Sequence, residues 1–410
     1  MDTVDKSRAS AIKPHVKGMD TRELLAHARK QGDKRKLDDY FIVDVDAHHF
    51  ENQSWSEILD SMPNDVMQHI GRSFTVGGQV YPGLIAVSGY PLHQPIAGRI
   101  VHDGGLEEAV DDASVHRDVT LVRRAMESLS VDYQITFPTP MLGLGLHPEV
   151  DVEVAVAEGY NRWLVERVLS ADDRIKSMLY LPFNDPDACV RIIEQFAGKK
   201  GVAGFMVTSV RHRPVQHNSY MRIYSMLEER GIPLGFHAGP TWSGEHLRQL
   251  NRFISVHAIS FVLCNMIHLT NWVMNALPER FPKLKVMWIE SGVAWIPFMM
   301  QRLDSEYLMR SSEAPGLKKL PSEYIKDMYY TTQPMERTNM KLLKVTLEEM
   351  NAKTQLMYAS DWPHWDFDVP ATVFDLPFLD EEARRNILGL NAKKLFNLPD
   401  RKAAVRQAAE

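Results

Sequence analysis

The chain has 410 residues, 44% of them hydrophobic and 24% charged, and its 47 basic against 53 acidic side chains leave a net charge of −6. That length exceeds a minimal domain and suits one large α/β barrel with insertions, while such mild acidity argues against nucleic acid or an anionic membrane as a partner. The two cysteines, Cys189 and Cys264, stand far apart with no C-x-x-C spacing; they suggest neither a disulfide framework nor a cysteine zinc site, and a reducing cytoplasm fits them best.

Residues 1–36 are polar and charge-rich and read as an N-terminal leader; residues 401–410 read as a polar C-terminal tail. No stretch approaches the roughly 18 consecutive apolar residues of a membrane span. Between them, over 37–400, short β-type runs recur at 41–46, 131–137, 176–181, 202–207, 233–236, 285–289, 328–332 and 355–359. Helical periodicity fills most of the gaps, at 150–169, 188–196, 220–230, 258–277 and 340–350. Alternating β and α segments predict a parallel sheet with helices outside it. No G-x-G-x-x-G or G-x-x-x-x-G-K-[ST] follows an early strand, so the fold class predicted is α/β, a closed (β/α)₈ barrel rather than a doubly wound sheet. The spacing is irregular once, after the first strand, where about 51–105 holds turn-rich text such as Val80-Tyr81-Pro82-Gly83. An insertion there predicts a lid or pocket wall over the barrel's C-terminal mouth.

Barrels of this kind place their chemistry at the C-terminal ends of the strands, and four of the eight runs end in residues that bind metals. The first ends in Asp46 and His48, two apart and therefore on one face of a strand. The fifth ends in His237, the sixth in Glu290, and the eighth in Asp361 with His364 three residues on. Singly, each is explained as a capping or hydrogen-bonded residue. Together, several carboxylates converging on one mouth would repel one another, and a divalent cation relieves that cost. The predicted metal set is Asp46, His48, His237, Glu290 and Asp361, with His49, His257 and His268 as further ligands or substrate contacts. Asp361, His237 and His364 are the candidates for catalysis.

These strand ends, with Pro278-Glu279-Arg280-Phe281-Pro282-Lys283-Leu284, Glu290-Ser291-Gly292-Val293-Ala294-Trp295, Ser360-Asp361-Trp362-Pro363-His364 and Ile387-Leu388-Gly389-Leu390-Asn391, resemble the amidohydrolase-related branch of the amidohydrolase superfamily. That branch includes aminocarboxymuconate-semialdehyde decarboxylase and the resorcylate-type decarboxylases. The resemblance runs in order from about residue 41 to 398 and implies a metal-dependent (β/α)₈ barrel. Two positions depart from the branch's pattern. Asp46 stands where the first histidine of His-x-His is usual, and Glu290 stands where the decarboxylases often carry histidine. Both trade imidazole for carboxylate, which moves the expected metal toward manganese or iron, one ion or two, with zinc still compatible.

The resemblance implies hydrolysis or non-oxidative decarboxylation of a small carboxylated molecule, in which the metal binds the substrate or generates hydroxide. Asp361 would be a ligand or base, and His237 or His364 would shuttle a proton. A second reading is a dioxygen-activating dinuclear iron or iron-manganese hydroxylase, as in a few relatives such as the aminoisobutyrate hydroxylase. A third is a metal-binding subunit without turnover. Trp288, Trp295, Trp362 and Trp365 fall around two of the ligand strands, and Arg248 and Arg252 follow His237. They are read either as packing and solvated residues or as an aromatic pocket, Trp362 among its contacts, with a guanidinium for a substrate carboxylate. The assembly expected is a homo-oligomer or a pairing with a related barrel chain.

Overall fold

Each of the eight predicted runs becomes a strand of one parallel sheet in the computed structural model, which describes residues 19–76, 78–86, 106–107 and 110–400. The strands are β1 (Val43–His49), β2 (Tyr133–Pro138), β3 (Ile175–Tyr180), β4 (Val202–Thr208), β5 (Leu234–His237), β6 (Val286–Ile289), β7 (Tyr329–Thr331) and β8 (Leu356–Met357). Their order in space is their order in sequence. The residues of β1, β2, β5 and β6 are buried throughout, as a parallel sheet covered on both faces requires.

Closure depends on chain just past β8. Val45 N donates to Tyr358 O at 3.0 Å, Asp361 N to Asp46 O at 2.7 Å and His48 N to Trp362 O at 2.6 Å. These bonds stitch the last strand to the first and bring Asp361 beside Asp46 and His48. The interior is packed rather than hollow: a Cβ on Gly204 or Gly235 would run into Met178 or Ile289, so glycine on β4 and β5 makes the room these side chains fill.

The outer helices begin and end where local chemistry dictates. Asp185 caps the helix Pro186–Phe196 by accepting from Asp187 N and Ala188 N, with Pro186 at its first position. Gly231, at φ 64°, ends the helix Met221–Arg230. The helix after β5, Phe253–Met274, has 22 residues, and an 18-residue stretch of it reaches a mean hydropathy of 1.6. Among the described residues it alone is long and apolar enough to cross a membrane; its Val256, Phe261, Leu269 and Trp272 are buried against the protein.

Two segments that the sequence reading set apart from the strands carry structure of their own. Within 1–36, the segment read as a polar leader, residues Thr21–Arg35 form a helix. Thr21, Leu25, Ala28 and Gly32 fall on one face of it and are buried, a spacing sparse enough to look polar in composition. The described part of the 51–105 insertion holds the helices Trp55–Ser61 and Asp65–Ser73 and an antiparallel pair at Thr75–Val76 and Gln79–Val80. Its Trp55, Ile58 and Leu59 are buried, and Gly159 of the helix Val150–Trp163 lets Ile58 and Met62 approach closely. Residues 87–105 and the tail 401–410 lie outside the described residues.

Candidate metal centre

Asp46, His48, His237 and Glu290 bring one donor atom each within 4.8 Å of one another, and a second such group, His48, Asp361 and His364, shares His48 with the first. All six are buried. His237 Nε2 lies 3.1 Å from Asp46 Oδ1, and His48 Nε2 lies 3.3 Å from both Asp46 Oδ1 and Asp361 Oδ1. His237 Nδ1 is 3.4 Å from Glu290 Oε2, and His364 Nδ1 is 2.6 Å from Asp361 Oδ1.

The second nitrogen of each ring decides what faces the cluster. His48 Nδ1 is 3.0 Å from Pro138 O, and His237 Nδ1 is 2.8 Å from Ala238 O. A carbonyl oxygen only accepts, so both Nδ1 atoms carry the proton and donate. Each Nε2 is therefore the ring atom that faces carboxylate oxygen, where a cation can be held between imidazole and carboxylate. Asp46 Oδ2, Glu290 Oε2, Asp361 Oδ2 and His48 Nε2 have no hydrogen-bond partner among the described residues. Buried acceptors are rarely left so, and pinned imidazoles with unpartnered carboxylates are the donor set of a divalent ion.

Electrostatics agree. Burial, then the charges of Asp46 and Asp366, pushes Glu290 well above the usual carboxylate range. Burial pushes Asp361 the same way, with Glu290, Asp366, Asp46 and Asp44 adding to it. Burial also raises Asp46, but His237 and His48 outweigh it and bring that carboxyl down to about 2. Burial lowers His48, which keeps its ring neutral and able to ligate. Glu290 at φ 57° and Asp361 at φ 59° sit in the left-handed region, which non-glycine residues seldom occupy. Backbone strain at both carboxylates marks a site that the surrounding fold holds in place.

Three residues that the sequence reading passed over frame the cluster. Asp44 accepts from Ser360 N at 2.9 Å and Ser360 Oγ at 2.6 Å, locking β1 to the turn that carries Asp361. Its place two residues before Asp46 on the same strand was the available signal. Glu51 accepts from Thr139 N at 2.9 Å and Met141 N at 2.8 Å. Thr139 Oγ1 in turn lies 3.1 Å from His364 Nε2. Nothing in the local sequence pairs residues 51, 139 and 364; only the barrel does.

Other expected contacts fall elsewhere. His49, the next residue along β1, points away from the cluster: Nε2 is 2.8 Å from Tyr160 Oη and the ring stacks on Trp163. His268 reaches Ser209 O at 2.9 Å. His257 Nε2 lies 3.6 Å from Asp366 Oδ2, beside the cluster without entering it. Arg248 and Arg252 are exposed, on a short helical turn and the chain after it, where solvating a guanidinium costs least. Trp362 is buried against Phe367 at 4.7 Å, and its contact with the site is its carbonyl, which receives His48 N.

Comparison with known proteins agrees with this architecture. A gamma-resorcylate decarboxylase of Polaromonas sp. is 22% identical over 248 residues, which cover 58% of this chain and 75% of that protein. An amidohydrolase structure from Mycobacterium avium subsp. paratuberculosis superposes with a TM-score of 0.66 at 18% identity, over 88% of this chain and 98% of its own. The 5-carboxyvanillate decarboxylase of Novosphingobium aromaticivorans, complexed with manganese and 4-hydroxy-3-methoxy-5-nitrobenzoic acid, gives 0.63 at 19% identity, over 94% of this chain and all of its own. At such identities the structures establish the fold. Residues 96–398, all the barrel strands but β1, match the family model described as Amidohydrolase, and the chain belongs to that family.

Proposed function

We propose that this protein is a divalent-metal-dependent carboxy-lyase that removes carbon dioxide, without oxidation, from a small aromatic carboxylate. The observation that carries the reading is the pair of imidazoles whose Nδ1–H groups are tied to Pro138 O and Ala238 O, so that both Nε2 atoms face Asp46 and Asp361, carboxylates whose second oxygens have no partner among the described residues. The gamma-resorcylate and 5-carboxyvanillate decarboxylases it resembles supply the reaction class. Asp46, His48, His237 and Asp361 would hold the ion, with Glu290 beside His237. The carboxylate-rich set favours manganese or iron over zinc.

When bound, the ion supplies positive charge that orients the substrate's oxygens and withdraws electron density. The rest falls to side chains. As the bond between ring carbon and carboxylate breaks, carbon dioxide leaves and the ring carbon needs a proton. The pair Asp361 and His364, 2.6 Å apart, is placed to hold and deliver it. Thr139 fixes the far side of the His364 ring. The described part of the insertion after β1, within 51–86, would serve as a pocket wall that keeps water out.

Manganese-loaded protein incubated anaerobically with hydroxylated and methoxylated benzoates tests the reading. Release of carbon dioxide with the matching phenol is the expected result; turnover that requires dioxygen and a reductant would replace it with the hydroxylase reading. For assembly we expect a homo-oligomer or a pairing with a related barrel chain, using apolar outer residues such as Ile254 and Leu308, 73% and 71% exposed. Light scattering reads that directly.

A further inference from the structure

The helix Phe253–Met274 has no Asp, Glu, Lys or Arg among its 22 residues. The barrel uses its inward face: Val256, Phe261, Leu269 and Trp272 are buried. Asn265, on that face, accepts from Ser209 Oγ at 2.6 Å and donates to Ile289 O at 3.1 Å and Ser291 Oγ at 3.0 Å. The outward face is apolar as well. Ile254, Ala258, Val262 and Met266 follow one another at intervals of four, and Ile259, Leu263 and Ile267 form a second row beside them. Rows of this spacing are continuous ridges on a helix surface. Ile254 is 73% exposed and Ile259 and Ile267 are 49% exposed, while Val262, Leu263 and Met266 are half-buried. The solvated side of an outer helix ordinarily carries charge, and a contiguous apolar strip marks an interaction surface.

A two-fold pairing of identical chains sets the same surface against itself, so a charge near the axis meets its like. A helix without charges meets its own copy at no such cost, and the cores of interfaces between identical chains are apolar. Antiparallel pairing about Leu263 also lays the N-terminus of each helix beside the C-terminus of its twin, the favourable arrangement of the two dipoles. The area is sufficient. The helix runs about 33 Å and offers a strip about 10 Å wide. Beside it packs the helix Trp295–Arg310, whose Phe298 and Leu308 are 56% and 71% exposed. The two faces together present about 550 Å² per copy, which clears the roughly 1,000 Å² in total that a specific protein pair buries. A lipid surface fits less well, because helices that lie in a membrane interface carry Lys and Arg beside the apolar strip, and this helix has neither.

We propose that the protein pairs with a second copy of itself across a two-fold axis at the middle of the helix Phe253–Met274, so that Ile259 of each copy packs on Ile267 of the other. Leu263 lies midway between the two in sequence, which makes the contact reciprocal. The pairing is independent of the reaction, and its test reads mass alone. Sedimentation and light scattering of the full chain should give twice the 46.9 kDa of one copy. Ile259→Lys and Ile267→Glu each bury a charge against isoleucine in the pair, and each should raise the dissociation constant of the dimer at least about a hundredfold. Both positions are 49% exposed, so the single chains stay folded by circular dichroism. An equimolar mixture of the two variants should recover a dimer, because the lysine of one then faces the glutamate of the other. A monomeric wild-type chain, a dimer that both variants leave intact, a mixture that stays monomeric, or binding to phosphatidylcholine vesicles in place of self-association overturns the proposal.

Discussion

Manganese entering the metal-free protein should expel protons from buried carboxyls, and the site gives the count. Without a cation, burial and neighbouring carboxylates push Glu290 and Asp361 well above the usual carboxylate range, so protons held there are displaced when an ion binds. Asp46 contributes none, because despite its burial His237 and His48 bring it down to about 2. Burial lowers His48, which favours its neutral, ligating form. The expected release is about one to two protons per ion, which makes affinity rise about ten- to a hundredfold per pH unit. The sign follows for stability too. A folded-state pKa above the unfolded value gives the metal-free protein a contribution that is complete below about pH 4 and is lost as pH rises through the raised value. The gap between loaded and metal-free stability should therefore widen with pH, by about 1.4 to 2.8 kcal/mol per unit. Calorimetric titration with manganese in two buffers of different ionisation enthalpy, between about pH 6 and pH 8, counts the protons, and Glu290→Gln should remove one. Affinity that stays flat across that range in both proteins would refute the argument.

Other outcomes follow from the same geometry. Asp361→Asn and His237→Ala should each lower metal affinity by at least about tenfold, read by elemental analysis of purified protein; unchanged metal content in both would remove the ion from the site. Thr139→Val, which strips the His364 ring of its hydroxyl partner, should cost about tenfold in turnover while leaving the fold intact, measured as kcat beside circular dichroism. Glu51→Ala leaves the N–H groups of Thr139 and Met141 without their buried acceptor and should cost about 3 kcal/mol in urea unfolding. Gly389→Ala would drive a methyl group into the Phe41 carbonyl where the chain closes over β1, and about 2 kcal/mol or more is the expected loss.

The strands were legible because burial on both faces writes a strand as a short apolar run, and the eight runs each became a barrel strand with ends displaced by only a few residues. The helix Thr21–Arg35 was harder to see, since its buried face carries only Thr21, Leu25, Ala28 and Gly32 amid charge. At the site, strand-end position singled out Asp46, His48, His237, Glu290 and Asp361; the structure gathers the first four in one group and Asp361 with His364 in a second that shares His48. His49 shows the limit of proximity in sequence: one residue along a strand reverses the face, and its ring joins Tyr160 and Trp163 instead.

What the sequence by itself determined is the alternation that makes a barrel and the residue types at its strand ends, because both are local and periodic. Only the tertiary structure decided the chemistry those residues share. Closure through Asp361 N to Asp46 O joins residues 315 positions apart, and Pro138 O and Ala238 O set which nitrogen of each imidazole faces the carboxylates. The same dependence holds at His268, where Ser209 O fixes which ring nitrogen donates. Proton placement of this kind depends on a carbonyl from another element of the fold, and no spacing along the chain encodes it.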